Sequence, residues 1–289
     1  MSAIGFGLWP GAGRRAQTGF GFGGPALPPG AALTRASAAS FVTADGALAF
    51  AAPDGARFDH DADGRLRGLM IERALTNGIT APGPITAANW PGDTFGSGQL
   101  PTFIDSSVTA PDGTPTASRI AFVRGSDFAR IARAEAVVPG TRYCLSVWLR
   151  AAAEGPAISL RLDGANGETL IVGPRWRRYA LSAVAESAAM SCQLLLWSAI
   201  AGAPEAATVD IWGAQFEPGS APSSFAANTR AADVVTLDWR MHGVADGPMT
   251  LRYQFDDGAA EHRPTMIADG RSTVPVDLAR PWVRRIERL

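Results

Sequence analysis

Apolar and polar residues alternate along this chain in one short segment after another, most regularly between about residues 119 and 216. In Tyr143-Cys144-Leu145-Ser146-Val147-Trp148-Leu149-Arg150, the residues Tyr143, Leu145, Val147 and Leu149 fall on one side. Cys144, Ser146, Trp148 and Arg150 fall on the other. Successive side chains of a strand point to opposite faces, so a period of two describes a half-buried strand. Residues 157–162, 176–184, 190–198 and 208–216 follow, separated by Gly, Pro and Asn. Short strands at this spacing predict an all-β, antiparallel jelly-roll sandwich.

Outside that region the pattern is weaker. Residues 1–30 are rich in Gly, Pro and Ala, with Phe6, Trp9, Phe20 and Phe22 interspersed. Gly raises the entropy cost of ordering, which leaves two readings of this arm: a docking strand for another subunit, or a disordered tail. Residues 41–43 and 47–50 flank Asp45-Gly46 as a hairpin. A polar turn at 59–65 leads into an apolar strand at 68–71, and 81–85, with Pro82 and Pro84, reads as a linker. Beyond Arg230 a second β pattern covers 234–239, 249–255, the turn Asp256-Asp257-Gly258, 272–276 and 281–286. About sixty residues make a marginal domain, so this part is expected to lean on a neighbour. The predicted organisation is an N-terminal anchoring arm and small β region (1–80), a jelly roll (86–228) and a small C-terminal β module (229–289).

Composition narrows the function. A net charge of -1 provides no long-range field for nucleic acid. All 26 basic residues are arginine, which fits a GC-rich coding bias. No window approaches the ~20 apolar residues of a membrane-spanning helix. The N-terminus lacks the basic start and apolar run of a secretory signal, and Cys144 and Cys192 read as reduced core residues, so assembly in the bacterial cytoplasm is expected.

Two blocks carry a resemblance. Phe58-Asp59-His60-Asp61, Gly64, Leu66, Gly68-Leu69-Met70-Ile71-Glu72 and Thr76-Asn77, with Asn89-Trp90 after them, look like a block common in bacteriophage virion proteins. Asp210-Ile211-Trp212-Gly213-Ala214-Gln215-Phe216-Glu217-Pro218-Gly219, then Pro222, Phe225 and Thr229-Arg230-Ala231-Ala232-Asp233, are similar to the close of the jelly-roll domains of those proteins. Such domains resemble carbohydrate-binding modules, and the chain looks most like the head spike fibres of alphaproteobacterial gene transfer agents. The resemblance, over about 34–233, implies a structural spike or fibre subunit on the surface of a phage-like particle. Its implied partners are other virion proteins (spike base, capsid or tail) and host cell-surface polysaccharide. A homo-oligomer is expected, because symmetric assembly multiplies weak sugar contacts; a head vertex implies five-fold and a tail fibre three-fold symmetry.

If Leu145, Val147, Leu149, Ile158, Leu160, Val209 and Ile211 point inward, the opposite side carries Trp148, Arg150, Arg161, Asp210 and Trp212, with Gln193 and Trp197 also outward. Sugar rings stack their C–H faces on aromatics, and their hydroxyls pair with planar polar groups, so these seven residues are the candidate glycan platform. The competing reading places the tryptophans in a second packed layer, and the strands could divide between two sheets. Asp59, Asp61 and Asp63 before Gly64 resemble the start of a calcium loop, but the twelfth position, where a bidentate Glu is needed, is Met70; a turn is the expected role. No cofactor is expected, although the resemblance allows a structural calcium. His60, His242 and His262 form no metal-spaced pair, and the only carboxylates suggesting a glycosidase are Asp210 and Glu217, so no catalysis is expected.

Overall fold

The computed structural model describes residues 19–80, 83–152, 155–163 and 167–289. The centre of the chain is an antiparallel jelly roll of two five-stranded sheets. The back sheet runs in the order Arg177–Val184, Arg142–Arg150, Ala206–Pro218, Ala117–Val123, Gln99–Val108. The front sheet runs Glu168–Ile171, Ala157–Leu162, Ala189–Trp197, Phe128–Ala136, Gly92–Phe95. Between them lies one hydrophobic core that includes Leu145, Val147, Leu149, Ile158, Leu160, Val209 and Ile211, the residues whose alternation predicted it. Ile79 and Ile85 are buried in the same core, so the expected linker packs inward at Ile85, while Ala81 and Pro82 lie outside the described residues.

The terminal segments, expected as separate regions 1–80 and 229–289, hydrogen-bond to each other. Trp282–Arg288 pairs with Gly19–Gly21, with Leu66–Met70 and with Gly247–Phe255. Val234–Asp238 pairs with Ala31–Thr34, and Leu75–Thr76 with Thr229–Arg230. Their shared core joins Phe20, Phe22, Phe58, Leu69 and Ile71 to Val235, Trp239, Tyr253 and Ile286. Segments this short are marginal as cores on their own, and here they bury their apolar residues in common. Phe20 and Phe22, read as part of a docking arm or tail, are therefore internal, Phe20 meeting Trp239 edge-on at 5.0 Å. Phe6 and Trp9 lie outside the described residues. Gly68 is required here: its φ is +122°, and a Cβ would stand 2.5 Å from the Val283 carbonyl oxygen.

The two blocks that carried the resemblance meet in space as the joint between the two cores. Asp233 Oδ1 accepts from Arg35 Nη1 at 2.9 Å, and its Oδ2 accepts from Arg57 Nη2 at 2.6 Å and the Glu72 amide at 2.8 Å. Glu72 accepts from Arg57 Nη1 at 2.8 Å and from the amide and hydroxyl of Ser224 at 2.8 and 2.6 Å. Arg230 stands 3.5 Å from Glu72. Asn77 spends its whole amide on the joint: Nδ2 donates to Ala214 O and Ala226 O, and Oδ1 accepts from the Ile79 and Phe216 amides. Such pairing offsets the cost of burying these carboxylates and amides, while Arg230 is held by charge alone, its guanidinium nitrogens making no hydrogen bond among the described residues.

Candidate functional site

The seven expected site residues separate onto opposite faces of the jelly roll. Trp148, Arg150, Asp210 and Trp212 lie on the outer side of the back sheet, where Trp148 and Trp212 are direct cross-strand partners. That side is packed over. Trp212 is 4% exposed, tilted against Phe225 at 4.5 Å, with its Nε1 donating to Thr116 Oγ1. Leu48 of the N-terminal hairpin, Val108, Ala110 and Ala117 complete the cluster, and Trp148 and Trp176 pack against it. Asp210 is buried between two guanidinium groups, Arg119 Nε at 2.7 Å and Arg150 Nη2 at 2.9 Å. Arg150 lies 4.7 Å from the Trp176 ring centroid. This face thus carries the second packed layer that was the competing reading of the tryptophans. Glu217, the other carboxylate considered for hydrolysis, is buried and accepts from Gln215 and the Ser223 amide, so neither it nor Asp210 stands beside open space for a sugar.

The front sheet brings Arg161, Gln193 and Trp197 together. Arg161 and Gln193 are directly opposed, and the Arg161 guanidinium lies 5.2 Å from the Trp197 ring centroid. Trp197, Phe128 and Phe95 are in register on three neighbouring strands. Strands are spaced about 4.8 Å apart, so this aromatic row crosses roughly 10 Å of the face. Phe95 is 65% exposed and stacks on Phe128 at 6.2 Å with 21° between the rings. One pleat along, buried Leu195 stands in register between Ser159 and Arg130.

The polar groups are fixed in place before any ligand arrives. Trp197 Nε1 donates to Asp127 Oδ1 at 2.9 Å. Arg130 grips Asp93 through Nε and Nη2 at 2.6 and 2.7 Å and reaches Gln193 Oε1 at 3.2 Å. Gln193 Nε2 donates to Ser191 Oγ. Beside this row a depression of about 380 Å³ is lined by Ser159, Arg161, Gly167, Thr169, Trp197 and residues 199–201.

Phe95, Phe128, Asp93 and Arg130 lie outside the strands expected from the sequence. Phe128-Ala129-Arg130-Ile131-Ala132-Arg133 does carry a period of two, but its largest apolar residue faces out and an alanine faces the core. Pattern reading takes the bulky apolar side as buried, and here that rule inverts.

The aspartates of the 59–64 segment build a turn and a clasp. Asp61 Oδ1 accepts from the Asp63 and Arg65 amides, while buried Asp59 accepts from the Val42 amide and Trp282 Nε1. Burial raises the Asp59 carboxyl above its ordinary value, against those two hydrogen bonds.

No family model and no curated protein matches the sequence. Solved structures do align with it at low identity. The enzymatically active domain of bacteriophage CBA120 tailspike protein 4 is 15% identical over 50% of this chain, with a TM-score of 0.38; the match spans 22% of the tailspike chain. The module TmCBM61, solved with β-1,4-galactotriose, is 13% identical over 50% of this chain and 99% of its own, with a TM-score of 0.36. A carbohydrate-binding module of the β-sandwich superfamily is 10% identical over 62% of this chain and 84% of its own, with a TM-score of 0.34.

Proposed function

We propose that the protein is a non-enzymatic spike or fibre subunit of a phage-like particle, of the gene-transfer-agent kind, that attaches to polysaccharide on the recipient cell. The outer face of the front sheet is the attachment surface. One observation carries this reading: Trp197, Phe128 and exposed Phe95 stand in register across three strands, flanked by planar hydrogen-bonding groups already held in place. An aromatic row left facing water is expensive unless something covers it. Sugar C–H faces stack on such rings, while Gln193, Arg130, Asp93 and Ser159 offer partners to ring hydroxyls. Repetition of the subunit on a particle multiplies a weak contact through effective concentration.

The test is adhesion of the purified, fluorescently labelled full chain to capsulated cells. Replacing Trp197 and Phe128 together by alanine is expected to weaken adhesion by about tenfold or more, since buried aromatic anchors dominate such contacts. The polysaccharide chain length should be unchanged after incubation. Undiminished adhesion by a folded double variant refutes the front-face assignment and favours a connector between virion proteins. Shortened polysaccharide refutes the non-enzymatic reading.

A further inference from the structure

The front face holds two arginines in different electrical states. Arg130 is neutralised by its two-pronged contact with Asp93. Arg161 has no carboxylate of the described residues within ion-pair distance; its placement comes from the Trp197 ring at 5.2 Å and from the strand opposite. Two carboxylates nearby are engaged elsewhere, Asp127 by the Trp197 indole and Asp163 by the Ser191 amide, while Glu168 is not among the residues lining the depression. Of the residues lining the 380 Å³ depression, Arg161 is the sole charged one.

The side chain is positioned rather than adrift. A Cβ on Gly167 would stand 2.6 Å from Arg161 Cγ and 2.9 Å from Ser159 Oγ, so the missing side chain at 167 is the space in which the arginine stem lies. The distance to the indole also differs from the arginine stack elsewhere in the molecule, where Arg67 sits 3.1 Å from the Trp282 centroid and pairs with Asp256. At 5.2 Å the Arg161 fork stands over the indole at a longer separation, with no carboxylate of the described residues as its partner.

We infer that the depression recognises an acidic sugar, a uronate whose carboxylate pairs with Arg161 while its ring lies against Trp197 and its hydroxyls meet Ser159 and Thr169. A guanidinium presents planar donors that match a carboxylate two-for-two, which a neutral sugar cannot use fully. This inference rests on the front face being the glycan site, and deepens it by naming the substrate class.

Affinity electrophoresis of the full chain tests both. Gels carry alginate, polygalacturonate or hyaluronan, each beside its carboxyl-reduced neutral form, with dextran and galactan as neutral polymers. The expected result is retardation by at least one native acidic polymer, weakened about tenfold to a hundredfold by carboxyl reduction and equally by Arg161→Gln, as for loss of a charge-assisted hydrogen bond. Arg161→Lys should retain part of it, and Arg177→Gln on the exposed back-sheet edge should retain all of it. Equal retardation by native and reduced forms, retardation by neutral polymers alone, or equal losses in Arg161→Gln and Arg177→Gln overturns the acidic-sugar inference and leaves glycan binding standing. No retardation by any polymer overturns both.

Discussion

Asp233 offers the sharpest test of what holds the two cores together. Its carboxylate is fully buried and is shared by Arg35 and Arg57, with the Glu72 amide as a third donor. At this joint the guanidinium groups of Arg35, Arg57 and Arg230 lie against the carboxylates of Asp233 and Glu72. Asp233→Asn keeps the shape and removes one of the two negative charges. Breaking a buried ion pair from one side leaves an uncompensated charge in a medium of low polarity, a loss of about 3–5 kcal/mol. Asp93→Asn on the front face is the control, because the Arg130–Asp93 pair has the same chemistry at side-chain exposures of 30% and 52%. Water screens that pair, and its loss should amount to about 0–1 kcal/mol. Urea unfolding followed by circular dichroism measures both losses, and in thermal melts Tm should fall roughly 2–4 °C for each kcal/mol lost. A loss below about 1 kcal/mol in Asp233→Asn, indistinguishable from Asp93→Asn, refutes the joint as an energetic unit.

Acid should weaken the same joint. Burial alone would raise the Glu72 carboxyl, but Arg230 and Arg57, with Ser224, outweigh it and hold the group below its ordinary value of 4.5. A carboxyl lowered on folding contributes stability that is complete above its unfolded value and is lost as pH falls through the folded one. The stability gap between the native chain and Glu72→Gln should therefore be constant near neutrality and narrow below about pH 4.5; a gap that does not change with pH refutes the coupling. The cysteines supply an independent check of burial: desolvation, with Glu217 adding to it, pushes the Cys144 thiol up to about 12, and desolvation pushes Cys192 up as well. Ellman's reagent at pH 8 should find both thiols only after unfolding, and rapid stoichiometric reaction of the native chain would refute that packing.

Alternation alone marked five of the ten jelly-roll strands, the inward residues of the core they share and the all-β class, because a strand with one wet face must repeat every second residue. It also marked Arg161, Gln193 and Trp197 as outward, and left Trp148 and Trp212 open between a ligand surface and a second packed layer. That choice belongs to tertiary structure. An outward side chain is wet only if nothing else in the chain packs over it, and Phe225 and the hairpin residue Leu48 cover the back sheet while nothing described covers Phe95. The union of the two chain ends into one core was equally illegible, since hydrogen bonding between Gly19–Gly21 and Trp282–Arg288 leaves no local trace in either segment. The blocks around Glu72, Asn77, Gln215 and Asp233 were recognisable as motifs, but only their meeting in space shows that they pair buried charges and amides with one another across a joint where water cannot.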